Sequence, residues 1–291
     1  MKKQNGLVRS GFARAKEITR KYAKTYYFAS LFLPKAKRDA AYAAYAICRI
    51  GDESVDNSPR AEVADNLIKL KSSIELVYSG AELNDSLLLA FQEAVFKYQI
   101  PKEYFAQVIE GMYMDLTISR YKNFQELYTY CYRVAGVVGL IMLKIFGYSD
   151  KRAEVYAVNL GIAMQLTNIT RDIKEDYLRG RIYLPQDEMA RYGISEKQIS
   201  EGKQDENFKA LLKFQIRRAR EYYADSQLGI NMIGGSRSRF VAYAIKDIYA
   251  NILDAIEKNN YDIFSKRARV NTIEKICIAL KIFLKREFIC E

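Results

Sequence analysis

The segment LGIAMQLTNITRDIKEDYLRGRIYLP, residues 160–185, decides how this chain folds and where its chemistry lies. Asn168, Asp172 and Asp176 recur in it every four residues, and Leu160, Ile162, Ala163, Met164 and Leu166 surround them with apolar bulk. Residues four apart share one face of an α-helix, with Cβ atoms roughly 5–6 Å apart. The spacing therefore predicts a rigid rod carrying a row of hard oxygen ligands. Gln165 lies close to the same stripe and Arg171 stands beside it. A second acidic pair at the same spacing, Asp52 and Asp56, lies in CRIGDESVD, residues 48–56, where Tyr45 and Arg49 extend the stripe.

A lone pair of acids four apart is ordinarily a solvated helix face. Two such rows, one of them embedded among apolar residues, are a different matter, because carboxylates near a core are costly unless paired or bound to metal. Mg²⁺ takes one or two carboxylates, keeps several waters and completes its shell with substrate phosphate oxygens. Two facing rows are thus expected to hold Mg²⁺, with Mn²⁺ as the alternative, through Asp52, Asp56, Asn168, Asp172 and Asp176. The ions in turn would hold diphosphates. Arg49 and Arg171 suit the oxygens of a departing diphosphate, since a guanidinium makes bidentate charge-assisted bonds. Metal and arginine together stabilise charge growing on a leaving group.

Outward from these rows the helical period dominates. Helices are expected near residues 10–23, 34–56, 60–78, 86–98, 101–119, 123–146, 150–177, 207–229, 237–258 and 271–287. Pro34 and Pro101 open helices, where a missing N–H costs nothing, and Gly80, Gly147 and Gly193 read as helix ends or connections. No alternating run suggests a sheet. The expectation is an all-α chain, one domain over residues 1–291, folded as a single large helical bundle around a central apolar cavity. Val134–Gly139 supply small and β-branched side chains without charge, which suit either close helix packing or a tunnel wall. Beside two diphosphate sites, a tunnel for a long hydrocarbon follows. After Asp176 the stretch YLRGRIYLP reads as a flap over the cavity mouth. Among 23 tyrosines, Tyr45, Tyr130, Tyr183 and Tyr249 fall in or beside these segments, where ring faces can stabilise a carbocation.

Composition bounds the alternatives. The chain has 291 residues, long enough for a large core, and Lys+Arg exceed Asp+Glu by 11. That charge attracts polyanions of any kind: nucleic acid, anionic lipid or diphosphate. The basic residues are dispersed rather than gathered in an arm, so no nucleic-acid partner is expected. Histidine is absent, which excludes a Ser-His-Asp triad and His-containing zinc sites. Cys48, Cys131, Cys277 and Cys290 are far apart and read as reduced thiols of a cytoplasmic protein. The N-terminus has no apolar core of a signal peptide, and the longest apolar run, Val134–Leu143, is too short to span a bilayer. The segment KICIALKIFLKREFIC, residues 275–290, alternates bulky apolar residues with lysines. It reads either as core packing or as a peripheral contact with the inner face of a membrane.

Three stretches carry a family resemblance. YCYRVAGVVGLIM (130–142) and LGIAMQLTNITRDIKEDYLRGRIYLP (160–185) resemble the two signature regions of squalene and phytoene synthases. AKTYYFASLFLPKAKRDAAYAAYAICRIGDESVD (23–56) resembles that family's N-terminal motif with its first acidic pair, and FSKRARV (264–270) a weaker C-terminal pattern. The resemblance implies the isoprenoid synthase fold and head-to-head condensation of two prenyl diphosphates through a cyclopropylcarbinyl diphosphate. It implies Mg²⁺–diphosphate binding by the five ligands named above. It also implies contacts to diphosphate or intermediate from Lys24, Tyr45, Arg49, Tyr130, Gln165, Arg171, Tyr183, Tyr249 and Arg267. The Ser–Phe pattern frequent in the first motif reads Ala23 and Tyr26 here, so position 23 offers no hydroxyl. YYFASLFLP, DESVD and VAGVVGLIM look more like phytoene synthases, which use two geranylgeranyl diphosphates. The thirty-carbon branch, squalene, dehydrosqualene or presqualene diphosphate synthases using farnesyl diphosphate, is the alternative, with NADPH needed only by a reducing squalene synthase. Ser30 is small and is expected to leave room for the longer tail where it lines the tunnel.

Overall fold

Helix signals and helix ends coincide along most of this chain. The computed structural model describes the backbone of residues 2–57 and 59–284, and the side chains of these except residues 2, 3, 56, 57 and 60. The helices are α1 Lys2–Tyr22, α2 Lys24–Ser30, α3 Lys35–Asn57, α4 Arg60–Tyr78, α5 Ser86–Lys97, α6 Lys102–Thr117 and α7 Phe124–Cys131. A π-helical turn, Tyr132–Gly136, leads into α8 Val137–Phe146 and α9 Ala153–Arg171. Then come α10 Ile173–Leu178, α11 Gln186–Arg191, α12 Glu196–Ser200, α13 Glu206–Ile230, α14 Ser236–Lys258 and α15 Thr272–Leu284. Among the described residues β-structure is limited to two isolated bridges, Arg120 with Ile182 and Tyr148 with Ile233. The all-α expectation holds.

Local chemistry sets the ends. Asp85 caps α5 by accepting from the amides of Leu87 and Leu88 at 2.8 and 3.0 Å, and Asp205 caps α13 by accepting from Phe208 at 2.9 Å. Pro101 sits just ahead of α6. Gly147, at φ +75°, turns the chain out of α8 in a conformation other residues resist.

α9 is the central rod. It lies along α13 and also packs against α8, the π turn and α14. Two glycines set how close it comes. A Cβ on Gly161 of α9 would stand 2.2 Å from the carbonyl oxygen of Ala135, and one on Gly139 of α8 would stand 2.3 Å from that of Ala157. Backbone therefore meets backbone along this seam. The apolar core forms two clusters, one around α3, α5, α6, α8 and α14 and one around α7, α9, α11 and α13. Met164, Tyr249 and Val270 pack against both.

Four expectations are corrected. The helix expected over 150–177 is interrupted at Asp172, whose backbone leaves the helical region (φ −106°, ψ 18°). The helix expected over 123–146 is continuous but contains the π turn, closed by the Val137 amide donating to the Tyr132 carbonyl. With that turn, Phe124–Phe146 is a 23-residue rod long and apolar enough to cross a membrane; here it lies among α6, α9 and α3. Ser30 is buried away from the cavity, its hydroxyl bonded to the Tyr27 carbonyl and the Tyr42 hydroxyl, both at 2.7 Å.

The stretch read as a flap is fastened instead. The Ile182 amide donates to Ser119 at 3.0 Å, and the Gln186 amide to Tyr121 at 2.9 Å. Arg120 donates to the Gly180 carbonyl at 2.8 Å. Ile182, Tyr183, Leu184 and Pro185 are buried, which leaves Leu178, Arg179 and Gly180 as the exposed tip. Just beyond, the buried Glu188 on α11 accepts from Gln215 at 2.6 Å and from Arg218, both on α13, while the Arg218 guanidinium lies 3.9 Å from the Phe124 ring.

Candidate active site

A cavity of about 340 Å³ runs through the bundle between α3, the π turn and α8, α9, and α14. That volume falls in the roughly 300–1,000 Å³ range of ligand pockets. Tyr45, Asp52, Gln165, Asn168 and Tyr249 line one part of it. Val134, Ala135, Val138, Gly139, Met142 and Phe146 line the rest with apolar surface. The two acid-bearing helices therefore open onto one cavity, and the uncharged run does form its wall. Ala153 and Asn168 both line it from α9. They are fifteen residues apart, about 22 Å at roughly 1.5 Å per residue.

The remaining polar residues continue from this mouth. Asp172 accepts two hydrogen bonds from each of two arginines: from Arg171, through Nε at 2.7 Å and a terminal nitrogen, and from Arg267, both at 2.7 Å. Arg267 comes from the loop between α14 and α15, ninety-five residues along the chain. Burial alone would raise the Asp172 carboxyl, but the two guanidiniums outweigh it and hold the group below the usual carboxylate range. Asp176, one turn on, behaves oppositely. Burial and the negative charges of Asp172 and Asp115 push it up to about 7, against the pull of Arg179 and Arg181.

Asp115 on α6 was not anticipated from the sequence. It accepts from the Tyr183 hydroxyl at 2.6 Å and from the Tyr130 hydroxyl at 3.2 Å, and the two hydroxyls are 3.3 Å apart. Their rings stack with centroids 5.0 Å apart, and the buried Tyr121 ring packs on both. Burial raises the pKa of Tyr130 and Tyr183, so both stay protonated donors. Burial likewise raises Tyr249, which feels the charges of Arg171, Asp172 and Arg267, and Tyr45, which feels Arg49, Asp52 and Tyr249. The rim is thus electrostatically continuous from Arg49 and Asp52, through the two tyrosines, to Asp172, Asp176 and Asp115.

Arg49 pairs with Glu53 and lies 4.6 Å over the ring of Tyr22, a cavity-lining residue. Its Nε is buried with no hydrogen-bond partner. Lys24 is exposed at the start of α2, beside the cavity-lining Ala23 and outside the cavity itself. Tyr26 replaces the expected phenylalanine in the wall, its ring 5.8 Å from Tyr45 and its hydroxyl 3.1 Å from the Met142 sulfur. The backbone of Asp56 is in α3, and its side chain lies outside the described residues.

The donor set suits a cation shared with a ligand. Among the described residues no three carboxylate or thiol groups stand together as a ready-made cage, yet hard oxygens accumulate along one rim, and one buried oxygen of Glu175 has no hydrogen-bond partner. That arrangement matches Mg²⁺, which uses few carboxylates and completes its shell with phosphate oxygens.

The family profile of squalene/phytoene synthase matches residues 19–274. The chain is 39% identical over 279 residues to the 15-cis-phytoene synthase of Synechococcus elongatus, covering 91% of this chain and 90% of the relative. It is 40% identical over 284 residues to the chloroplastic phytoene synthase 1 of Solanum lycopersicum, covering 95% and 68%. Among solved structures, a dehydrosqualene synthase bound to a ligand superposes with a TM-score of 0.89 at 29% identity, covering 96% of this chain and 98% of the other.

Proposed function

The chain belongs to the squalene/phytoene synthase family and is a prenyltransferase, and on that premise we propose that it is a phytoene synthase. It joins two geranylgeranyl diphosphates head to head through a cyclopropylcarbinyl diphosphate and releases diphosphate, without NADPH. One observation carries this reading: both acid-bearing helices open onto a single cavity whose remaining wall is apolar. Diphosphates sit at the rim and hydrocarbon tails in the chamber.

In this reading Asp52, Asp56, Asn168, Asp172 and Asp176 hold Mg²⁺, or Mn²⁺ in its place. When bound, the metal neutralises the diphosphate as a Lewis acid and so eases its departure. Lys24, exposed beside the mouth, draws the polyanion in by charge. Arg49 offers a buried Nε with no other partner. Asp172 holds Arg171 and Arg267 together by paired hydrogen bonds, and their remaining N–H groups grip the leaving diphosphate. Tyr130 and Tyr183 donate from the Asp115 side, and Gln165 hydrogen-bonds at the Asn168 side. Tyr26, Tyr45 and Tyr249 stand in the wall, where aromatic rings stabilise positive charge in a pocket poor in water. The described cysteines, Cys48, Cys131 and Cys277, are free thiols. They suit the reducing cytoplasm, where we place the enzyme, peripheral to the membrane.

The thirty-carbon branch is the second reading, favoured by the likeness to a dehydrosqualene synthase structure. One experiment separates the two. Purified protein is incubated with Mg²⁺ and either farnesyl or geranylgeranyl diphosphate, with and without NADPH, and the hydrocarbons are separated by chromatography. A forty-carbon product from geranylgeranyl diphosphate without NADPH, lost with EDTA and restored by Mg²⁺, is expected. Product from farnesyl diphosphate alone would move the enzyme to the other branch, and no condensation from either would overturn both.

A further inference from the structure

The apolar end of the chamber, away from the rim, is walled by two loops and a side chain. The loops leaving α8 and α13 are fastened to each other through their backbones. The Gly234 amide donates to the Gly147 carbonyl at 2.9 Å, and the Ser149 amide to that of Met232 at 3.0 Å. Phe146, Ala153, Ile230 and Ile233 line the chamber beside this junction. Tyr156 on α9 lines it too. It belongs to the same stripe as Asn168, twelve residues on, about 18 Å at roughly 1.5 Å per residue.

What holds this ring is a gap in α13. Gly229 also lines the chamber, and a Cβ on it would stand 2.1 Å from the Cβ of Tyr156 and 2.6 Å from its Cγ. Any side chain at position 229 would collide with the tyrosine, so the bare glycine is the seat for the stem of the ring. α9 lies along α13, which leaves that stem no room to shift sideways. Beyond the ring the protein ends. Val155 and Leu228, next in sequence to Tyr156 and Gly229, are 64% and 62% exposed. The exposed Arg152, one turn before Tyr156, is close enough to interact electrostatically with the tyrosine hydroxyl. The ring therefore stands between an apolar chamber and the surface, with its hydroxyl on the outer side.

We propose that Tyr156, seated on Gly229, is the stop against which the end of the hydrocarbon tail comes to rest, and so sets the longest chain the enzyme accepts. The inference rests on the prenyl diphosphate reading and adds to it the residue that measures the tail. In an apolar pocket a misfit of one methylene changes rates by about 10–200-fold, and an isoprene unit is larger than that. Wild type, Tyr156→Ala and Tyr156→Phe are each given Mg²⁺ and an equal mixture of two substrates. One is the prenyl diphosphate that wild type prefers; the other is one isoprene unit longer. Hydrocarbons containing the longer chain are measured as a ratio to those without it, so that loss of folded protein cancels. Tyr156→Ala should raise this ratio about tenfold or more, because the tail then passes out between α9 and α13. Tyr156→Phe, which keeps the ring, should restore the wild-type ratio. Tyr156→Leu, a smaller cut, should move the ratio in the same direction as alanine and serves where the alanine variant does not fold. With wild type active, an unchanged ratio in the folded alanine or leucine variant overturns the inference alone. So does a Tyr156→Phe ratio as high as that of Tyr156→Ala, which would assign the effect to the hydroxyl. Wild type that condenses no prenyl diphosphate removes the enzymatic reading and the inference with it.

Discussion

Two tyrosine hydroxyls converge on Asp115, and two arginines converge on Asp172. The two carboxylates differ in what their loss should do. Asp172→Asn replaces one acceptor oxygen by an NH₂ that faces a guanidinium, so Arg171 and Arg267 lose their shared anchor. Turnover should fall about 10²–10³-fold with the helical circular dichroism unchanged, and near-normal turnover would remove Asp172 from the machinery. Asp115→Asn keeps shape but weakens the acceptor for Tyr130 and Tyr183. A loss of roughly 10–100-fold in kcat is expected, with little shift in melting temperature. Asp172 could be picked out in the sequence because it repeats at i and i+4 with Asn168 and Asp176. Asp115, in MYMDLT, has no acidic residue three or four positions away. Only the packing of α6 beside the π turn brings it to the rim. Ser30 illustrates the reverse: its small size was visible, but its hydroxyl bonds to Tyr42 instead of facing the chamber.

At the scale of elements, helix existence was legible because apolar period, proline and caps agree in most segments. Breaks inside helices were not, since Asp172 and the π turn are set by tertiary contacts and leave the period almost untouched. Nor could the sequence reveal that Ser119 and Tyr121 accept the amides of Ile182 and Gln186, because backbone pairing across sixty residues has no side-chain signature. The seam between α9 and the rod of α7, the π turn and α8 makes a direct prediction. Gly161→Ala forces a methyl group into the Ala135 carbonyl, a contact that neither helix can relieve by changing a rotamer. It should cost about 1–3 kcal/mol of stability, read as a lower melting temperature. An unchanged melt would mean that the two helices are not held this close.

For the whole molecule, the cavity's reach along α9 governs which chains fit. Ala153 is a small lining residue fifteen positions from Asn168. Ala153→Phe should fill that end and lower turnover of geranylgeranyl diphosphate relative to farnesyl diphosphate, measured as a ratio so that any loss of folded protein cancels. An unaltered ratio would place the hydrocarbon elsewhere. The π turn has a consequence for ancestry as well as shape. It holds one residue more than a regular turn would, so deleting any one of residues 132–136 would restore an ordinary helix. The wide turn takes up its extra residue in nearly the same rotation as a regular one, so the flanking halves would stay in register, Tyr130 would remain by Asp115, and the change would fall on the wall at Val134 and Ala135. Gain or loss of one codon here would therefore reshape the chamber wall locally and leave the donors at the rim where they stand.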